Sequence, residues 1–236
     1  MRFVKTHTNG NDFVITMDQV DINKIKLMSD RRFGIGCDQF VFISDISCGN
    51  YNIEFFNQDG SKVEMCGNGA CAAVLYIKRF LNKALSKFCL FISGIEYRAS
   101  IDNNTVSIEF PMPLLLESFG NIKVVSTGNK HLLYETDIES IPRDTIDDLR
   151  YKYPDCNIHF LNRISHNVVR IKTFERGVGW TKSCGSGAVA VAFSIGCLNN
   201  TIKIIHEGGE SNVIINSDSL LFQSTPTIVF KGEIYE

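Results

Sequence analysis

FNQDGSKVEMCGNGACAAV (residues 56–74) and FERGVGWTKSCGSGAVAVA (residues 174–192) carry the organisation of this chain. Each reads as a strand, a glycine-containing loop, and then Cys-Gly-polar-Gly opening a run of small apolar residues. Phe56 and Phe174 stand 118 positions apart, as do Cys66 and Cys184, and 118 is half of the 236-residue length. A repeat in that register implies two lobes of one architecture.

Around the repeat, short β-branched or alternating runs dominate, among them RFVKTH, DFVITM, QFVFIS, YNIEFFN, TVSIEF, NVVRIKTFE, TIKIIH, SNVIIN and PTIVFKG. Each is bounded by Gly, Asn, Asp or Pro, as strands usually are. Helices are fewer. Residues 22–33 read as one, residues 142–151 as another with proline in its first turn, and the two most apolar begin at Gly67 and Gly185. The reading is α/β (α+β), with two pseudo-symmetric lobes and a cleft between them. The first lobe spans 1–113 and is joined by the last strand, 226–236; the second spans 114–225, with Pro111–Pro113 as the crossing.

Composition narrows the function. The chain is 44% hydrophobic and 21% charged with a net charge of −2, a folded protein rather than a disordered one. That balance offers no field for nucleic acid, and no basic run suits a membrane surface. The N-terminal stretch lacks a signal-peptide core, and no apolar run is long enough to span a bilayer. The expected location is the cytoplasm, where the eight cysteines stay reduced. No C-x-x-C pair occurs, so zinc-finger and thioredoxin-like readings lack their signature.

The chemistry lies in the two cysteines. The first turn of a helix presents unpartnered N–H groups and a partial positive charge. Glycine lets a carboxylate approach those amides, and a cysteine there feels the same field. One thiol from each lobe suits inversion of a C–H stereocentre: one sulfur removes the proton and the other returns one to the opposite face. Cys37, Cys48, Cys71, Cys89, Cys156 and Cys197 lack this context and read as inert.

Together NGNDF (9–13), FNQDGSKVEMCGNGA (56–70), GNKH (128–131), CNIHF (156–160) and FERGVGWTKSCGSGA (174–188) resemble the diaminopimelate epimerase family from the first strand to the last. The resemblance implies two lobes, each with strands wrapped around a central helix. It also implies a homodimer, a small-molecule substrate (diaminopimelate), and catalysis with neither pyridoxal phosphate nor metal. Cys66 and Cys184 correspond to the acid/base pair, and His131 and Glu175 to the residues assisting catalysis and orienting the reacting ammonium. Gly67, Asn68, Gly185 and Ser186 correspond to the carboxylate cradle. Asn11 and Gln39 correspond to substrate contacts, and Asn57, Asn129, Asn157 and Arg176 to the group that reads the distal end. The chain departs from the family pattern at Lys130, Trp180, Cys71 and the HTNGNDF segment, which bears on specificity and rate.

Two other functions compete. A proline racemase-like enzyme would keep both thiols, but a proline ring has no second carboxylate for Arg176. A non-catalytic amino-acid binder or redox sensor would use the cysteines as a switch. Nucleotide binding finds no phosphate-loop spacing, and no lysine stands in a recognisable pyridoxal context.

Overall fold

The computed structural model describes residues 1–235 and groups them into two compact units. The first comprises Met1–Ile108 and the stretch from Ser224 onward; the second comprises Glu109–Gln223. The division falls within a strand a few residues before Pro111, where the sequence alone marks a crossing.

Unit one contains strands β1 (Arg2–Thr8) and β2 (Asn11–Thr16), helix α1 (Ile22–Ser29), and strands β3 (Gln39–Ser47), β4 (Asn50–Asn57) and β5 (Lys62–Val63). Helix α2 (Gly67–Tyr76) follows and runs into a π-helical turn at Ile77–Leu81, then β6 (Lys87–Ile92), β7 (Ile95–Asp102) and β8 (Thr105–Pro111). Antiparallel pairs link β1–β2, β3–β4, β4–β5, β6–β7 and β7–β8, whereas β2–β3 and β4–β6 are parallel. Each parallel step is bridged by a helix, as such a crossover requires.

Unit two repeats this order: β9 (Leu114–Phe119), β10 (Ile122–Ser126), β11 (Lys130–Glu135), α3 (Arg143–Lys152), β12 (Asn157–Ser165), β13 (Val168–Glu175) and β14 (Gly179–Thr181). Then come α4 (Gly185–Ile195), β15 (Thr201–His206), β16 (Gly209–Ile215) and β17 (Ser219–Ser224). Here β11–β12 and β13–β15 are the parallel pairs. In unit one the place of β9 is taken by the last strand, β18 (Thr227–Glu233), which pairs antiparallel with β1 from Arg2↔Glu233 onward.

The core of each unit is its apolar helix. All residues of α2 from Gly67 to Leu75 are buried, and the helix touches β1, β2, β3, β4, β7 and β18. Helix α4 is buried from Gly185 to Ala192 and touches β10, β11, β15 and β16. A helix apolar around its girth has to be enclosed, and short strands on several sides do so. Gly69 allows a strand side chain to approach α2 closely: a Cβ there would come 2.6 Å from Cε1 of Phe55.

Helix α1 ends at Ser29 rather than Phe33. The Asp30 carboxylate accepts hydrogen bonds from the backbone N–H groups of Arg32 and Phe33 at 2.7 and 2.8 Å, and this local turn competes with helix continuation. Pro142 is the N-cap of α3, one residue outside the helix.

Candidate active site

Each unit places one of the two cysteines at the same point, the N-cap of its central helix. Cys66 and Cys184 share an extended backbone, with φ/ψ of −134°/107° and −137°/113°. Cys66 is half-buried, and its sulfur accepts a hydrogen bond from the Gly69 N–H at 3.3 Å. Cys184 is buried, with its sulfur 3.6 Å from Oγ of Ser186. At Cys66 the sulfur thus takes the capping role usually held by a serine or aspartate oxygen, whereas Cys184 is the N-cap by backbone geometry without a side-chain capping hydrogen bond. The helix's own field acts directly on each sulfur.

In unit one, Asn11, Cys66 and Asn68 come together. Oδ1 of Asn11 lies 3.4 Å from Nδ2 of Asn68 and 3.9 Å from the Cys66 sulfur. Nδ2 of Asn11 donates to Asp38 at 3.0 Å, which fixes the amide's orientation. Arg31 bridges Asp38 (2.8 Å) and Asp12 (2.7 Å), and Lys5 also pairs with Asp12. Burial draws the Asp12 carboxyl upward, but hydrogen bonds from Arg31 and Lys5 outweigh it and hold the group down at about 2. Gln39 and Asn57 form a separate pair, directly opposite on β3 and β4, with Nε2 donating to Oδ1 at 3.3 Å. Gly67 opens α2 and is buried.

In unit two, His131 is fully buried on β11. Its Nε2 lies 3.0 Å from Oγ1 of Thr127, and its Nδ1 lies 2.9 Å from Nε2 of His159. His159 continues the chain through Nδ1 to Oγ1 of Thr173 at 3.1 Å. Burial holds His131 down at about 3 and His159 well below the ordinary imidazole value, so both rings are neutral. Since His131 spends both nitrogens on Thr127 and His159, it shares no hydrogen bond with Glu175. Glu175 instead accepts from Oγ1 of Thr181 at 2.6 Å. Oδ1 of Asn157 accepts from the backbone N–H of Arg176 at 3.0 Å, while the arginine side chain is exposed and 3.9 Å from Asp155. Asn129 ends a tight turn through Gly128 (φ 102°), its carbonyl accepting from the Thr127 N–H. Gly185 and Ser186 open α4 and are buried.

The 118-residue offset holds across these clusters: Asn11 matches Asn129, Gln39 matches Asn157, and Asn57 matches Glu175. His159, Thr127, Thr173 and Asp38 are absent from the sequence-derived site. Asn157 and His159 are two apart on one strand and share a face, a spacing that by itself does not single out His159. Asp38 carries no signal beyond its place beside Gln39. Lys130 is exposed, and Trp180 packs between Phe160 and Phe174 at ring distances of 5.9 and 5.5 Å. Burial raises the thiols of Cys37, Cys71, Cys89 and Cys156.

Solved structures of similar fold include a PhzF-family phenazine biosynthesis protein from Bacillus anthracis (TM-score 0.79, 12% identity, 100% of this chain and 99% of that one). Another is a hydroxyproline epimerase from Agrobacterium vitis (TM-score 0.74, 10% identity, 99% and 90%). The fold is therefore one shared with an amino-acid epimerase, and curated relatives that are themselves epimerases make the chain an isomerase of that type.

Among curated relatives, the diaminopimelate epimerase of Teredinibacter turnerae is 31% identical over 90% of both chains. That of Carboxydothermus hydrogenoformans is 29% identical over 100% of both. Residues 3–88 match the diaminopimelate epimerase family directly. The chain belongs to the diaminopimelate epimerase family.

Proposed function

We propose that the protein interconverts LL- and meso-diaminopimelate by a cofactor-independent, two-cysteine route, supplying lysine or peptidoglycan synthesis in the cytoplasm. The observation that carries this reading is the duplicated placement of a cysteine as N-cap of a buried helix, Cys66 in unit one and Cys184 in unit two. One sulfur, as thiolate, takes the α-proton, and the electron pair of the C–H bond passes into the adjacent carboxylate. The other sulfur, as thiol, protonates the carbon from the opposite face, and the two exchange roles in the reverse direction. The amides at Gly67–Asn68 and Gly185–Ser186 stabilise the growing negative charge on the carboxylate.

Asn11 and Gln39 contact the substrate, and Glu175 holds the reacting ammonium. Neutral, buried His131 supports the Cys184 side of the site. Asn57, Asn129, Asn157 and Arg176 read the distal amino acid. An arginine together with several amides suits a second carboxylate, which favours diaminopimelate over a proline-like substrate. A homodimer fits strand β9, all of whose residues are exposed, including Leu114, Leu115, Leu116 and Phe119.

Incubation of LL-diaminopimelate with the enzyme in D2O tests the reading. The expected result is meso product carrying solvent deuterium at the inverted α-carbon. Product without deuterium overturns the two-base route, and binding without exchange favours an amino-acid sensor.

A further inference from the structure

One nitrogen of His131, one nitrogen of His159 and the sulfur of Cys184 lie within 4.8 Å of one another, and all three side chains are buried. One nitrogen of each ring already has an oxygen partner behind it, Thr127 for His131 and Thr173 for His159. The other two ring nitrogens converge at 2.9 Å. Two neutral imidazoles and a cysteine sulfur are the donor set preferred by zinc and cations like it. A hydroxyl behind each ring is the outer shell that orients such ligands.

Packing alone does not call for this cluster. At the unit-one equivalents of His131, His159 and Thr173, 118 residues earlier, stand Phe13, Val41 and Phe55, all fully buried. The two register pairs correspond, Val41↔Phe55 in one unit and His159↔Thr173 in the other. The fold accepts hydrocarbon in place of the rings, and although a cysteine caps the central helix of each unit, the two imidazole donors are confined to unit two. His159 also lies flat against α4: a Cβ on Gly187 would come 2.2 Å from its Cε1, so the glycine admits the ring.

We propose that His131, His159 and Cys184 form a capture site for zinc or a similar divalent cation, and that occupancy switches the enzyme off by tying up the Cys184 sulfur. The switching, though not the binding, rests on the role assigned to Cys184 above. The protons balance. The hydrogen between the converging nitrogens moves to an outer nitrogen, where a threonine hydroxyl turns from donor to acceptor. Each ring keeps one proton, and any thiol proton leaves to solvent. Water supplies a fourth ligand.

The test is titration of the reduced, metal-free protein with Co2+, read by its thiolate-to-cobalt charge-transfer band and four-coordinate visible bands. One equivalent should bind to the wild type and to Cys66→Ser. Cys184→Ser should lose the charge-transfer band, His159→Gln should bind at least about tenfold more weakly, and Thr173→Val about tenfold more weakly. Thermal unfolding checks that each variant is folded, and a folded Cys184→Ser that keeps the band overturns the site. Zn2+ should inhibit epimerisation in step with occupancy, with recovery on adding a chelator. A wild type without the band but active overturns the capture site and leaves the epimerase reading intact. Full occupancy without inhibition overturns the switch together with the role of Cys184.

Discussion

His131 and His159 share a hydrogen bond of 2.9 Å, Nδ1 to Nε2, inside a chain that runs from Thr127 to Thr173 without leaving the protein interior. Both rings are neutral because burial removes the water a cation would need, and for His159 the neighbouring His131 and His206 add to that. A pair of uncharged imidazoles can pass one proton along its length but cannot take up a second cheaply.

Acid should therefore destabilise the fold in two stages. In the unfolded chain His131 and His206 bind protons near 6.5, whereas in the fold burial lowers them to about 3 and about 4. Their contribution is complete above about pH 6.5 and is lost as pH falls through the window between those values. Asp12 acts in the same direction lower down, its stabilisation present above 3.8 and lost towards about 2. Each unit of depression corresponds to about 1.4 kcal/mol. Urea midpoints from pH 7.5 to 2 should fall from about pH 6.5 downward. Asp12→Asn should be less stable at neutral pH and lose only the lower stage. A flat profile between pH 6.5 and 4 would contradict the buried neutral rings.

Replacing either capping cysteine should stop inversion, since each face needs its own proton carrier. Cys66→Ala and Cys184→Ala are expected to lose about 10²–10⁴-fold in kcat with either diastereomer. Cys71→Ala should stay within about twofold, because that thiol is fully buried and pushed well above its ordinary value by desolvation. Steady-state rates measured in both directions decide, and substantial turnover in either of the first two variants would sink the scheme.

Gly187→Ala should cost more than helix propensity returns. Alanine favours a helix by about 1 kcal/mol over glycine, but its Cβ would stand 2.2 Å from His159, and overpacking of this kind costs about 1–3 kcal/mol. Pairing it with His159→Ala, which vacates the clash, should recover part of the loss relative to His159→Ala alone. Equilibrium unfolding of the four-member cycle reads the coupling, and additive effects would rule out the contact.

The repeat, the strand-rich class and both helix starts are legible in the chain because they follow from local patterning. Cys-Gly-polar-Gly followed by small apolar residues can begin little else than a buried helix, and doubling it at a constant spacing announces two copies. The end of α1 is misread because a side chain, Asp30, takes over the backbone donors that a periodic pattern assigns to the helix.

Local pattern carries no information about which partners a folded chain brings within 3 Å. His131 is visible from its motif, but its partner 28 residues later is not, since their meeting depends on the parallel pairing of β11 with β12. Asn11 is likewise visible from its motif, but the Asp38 carboxylate that holds its amide is not. The order of the amino acids settles which groups can cap a helix or carry a proton, because those properties belong to residues and their immediate neighbours. Orientation, charge state and the company each group keeps belong to the folded sheets, because only burial removes water and only strand register sets distances between remote side chains.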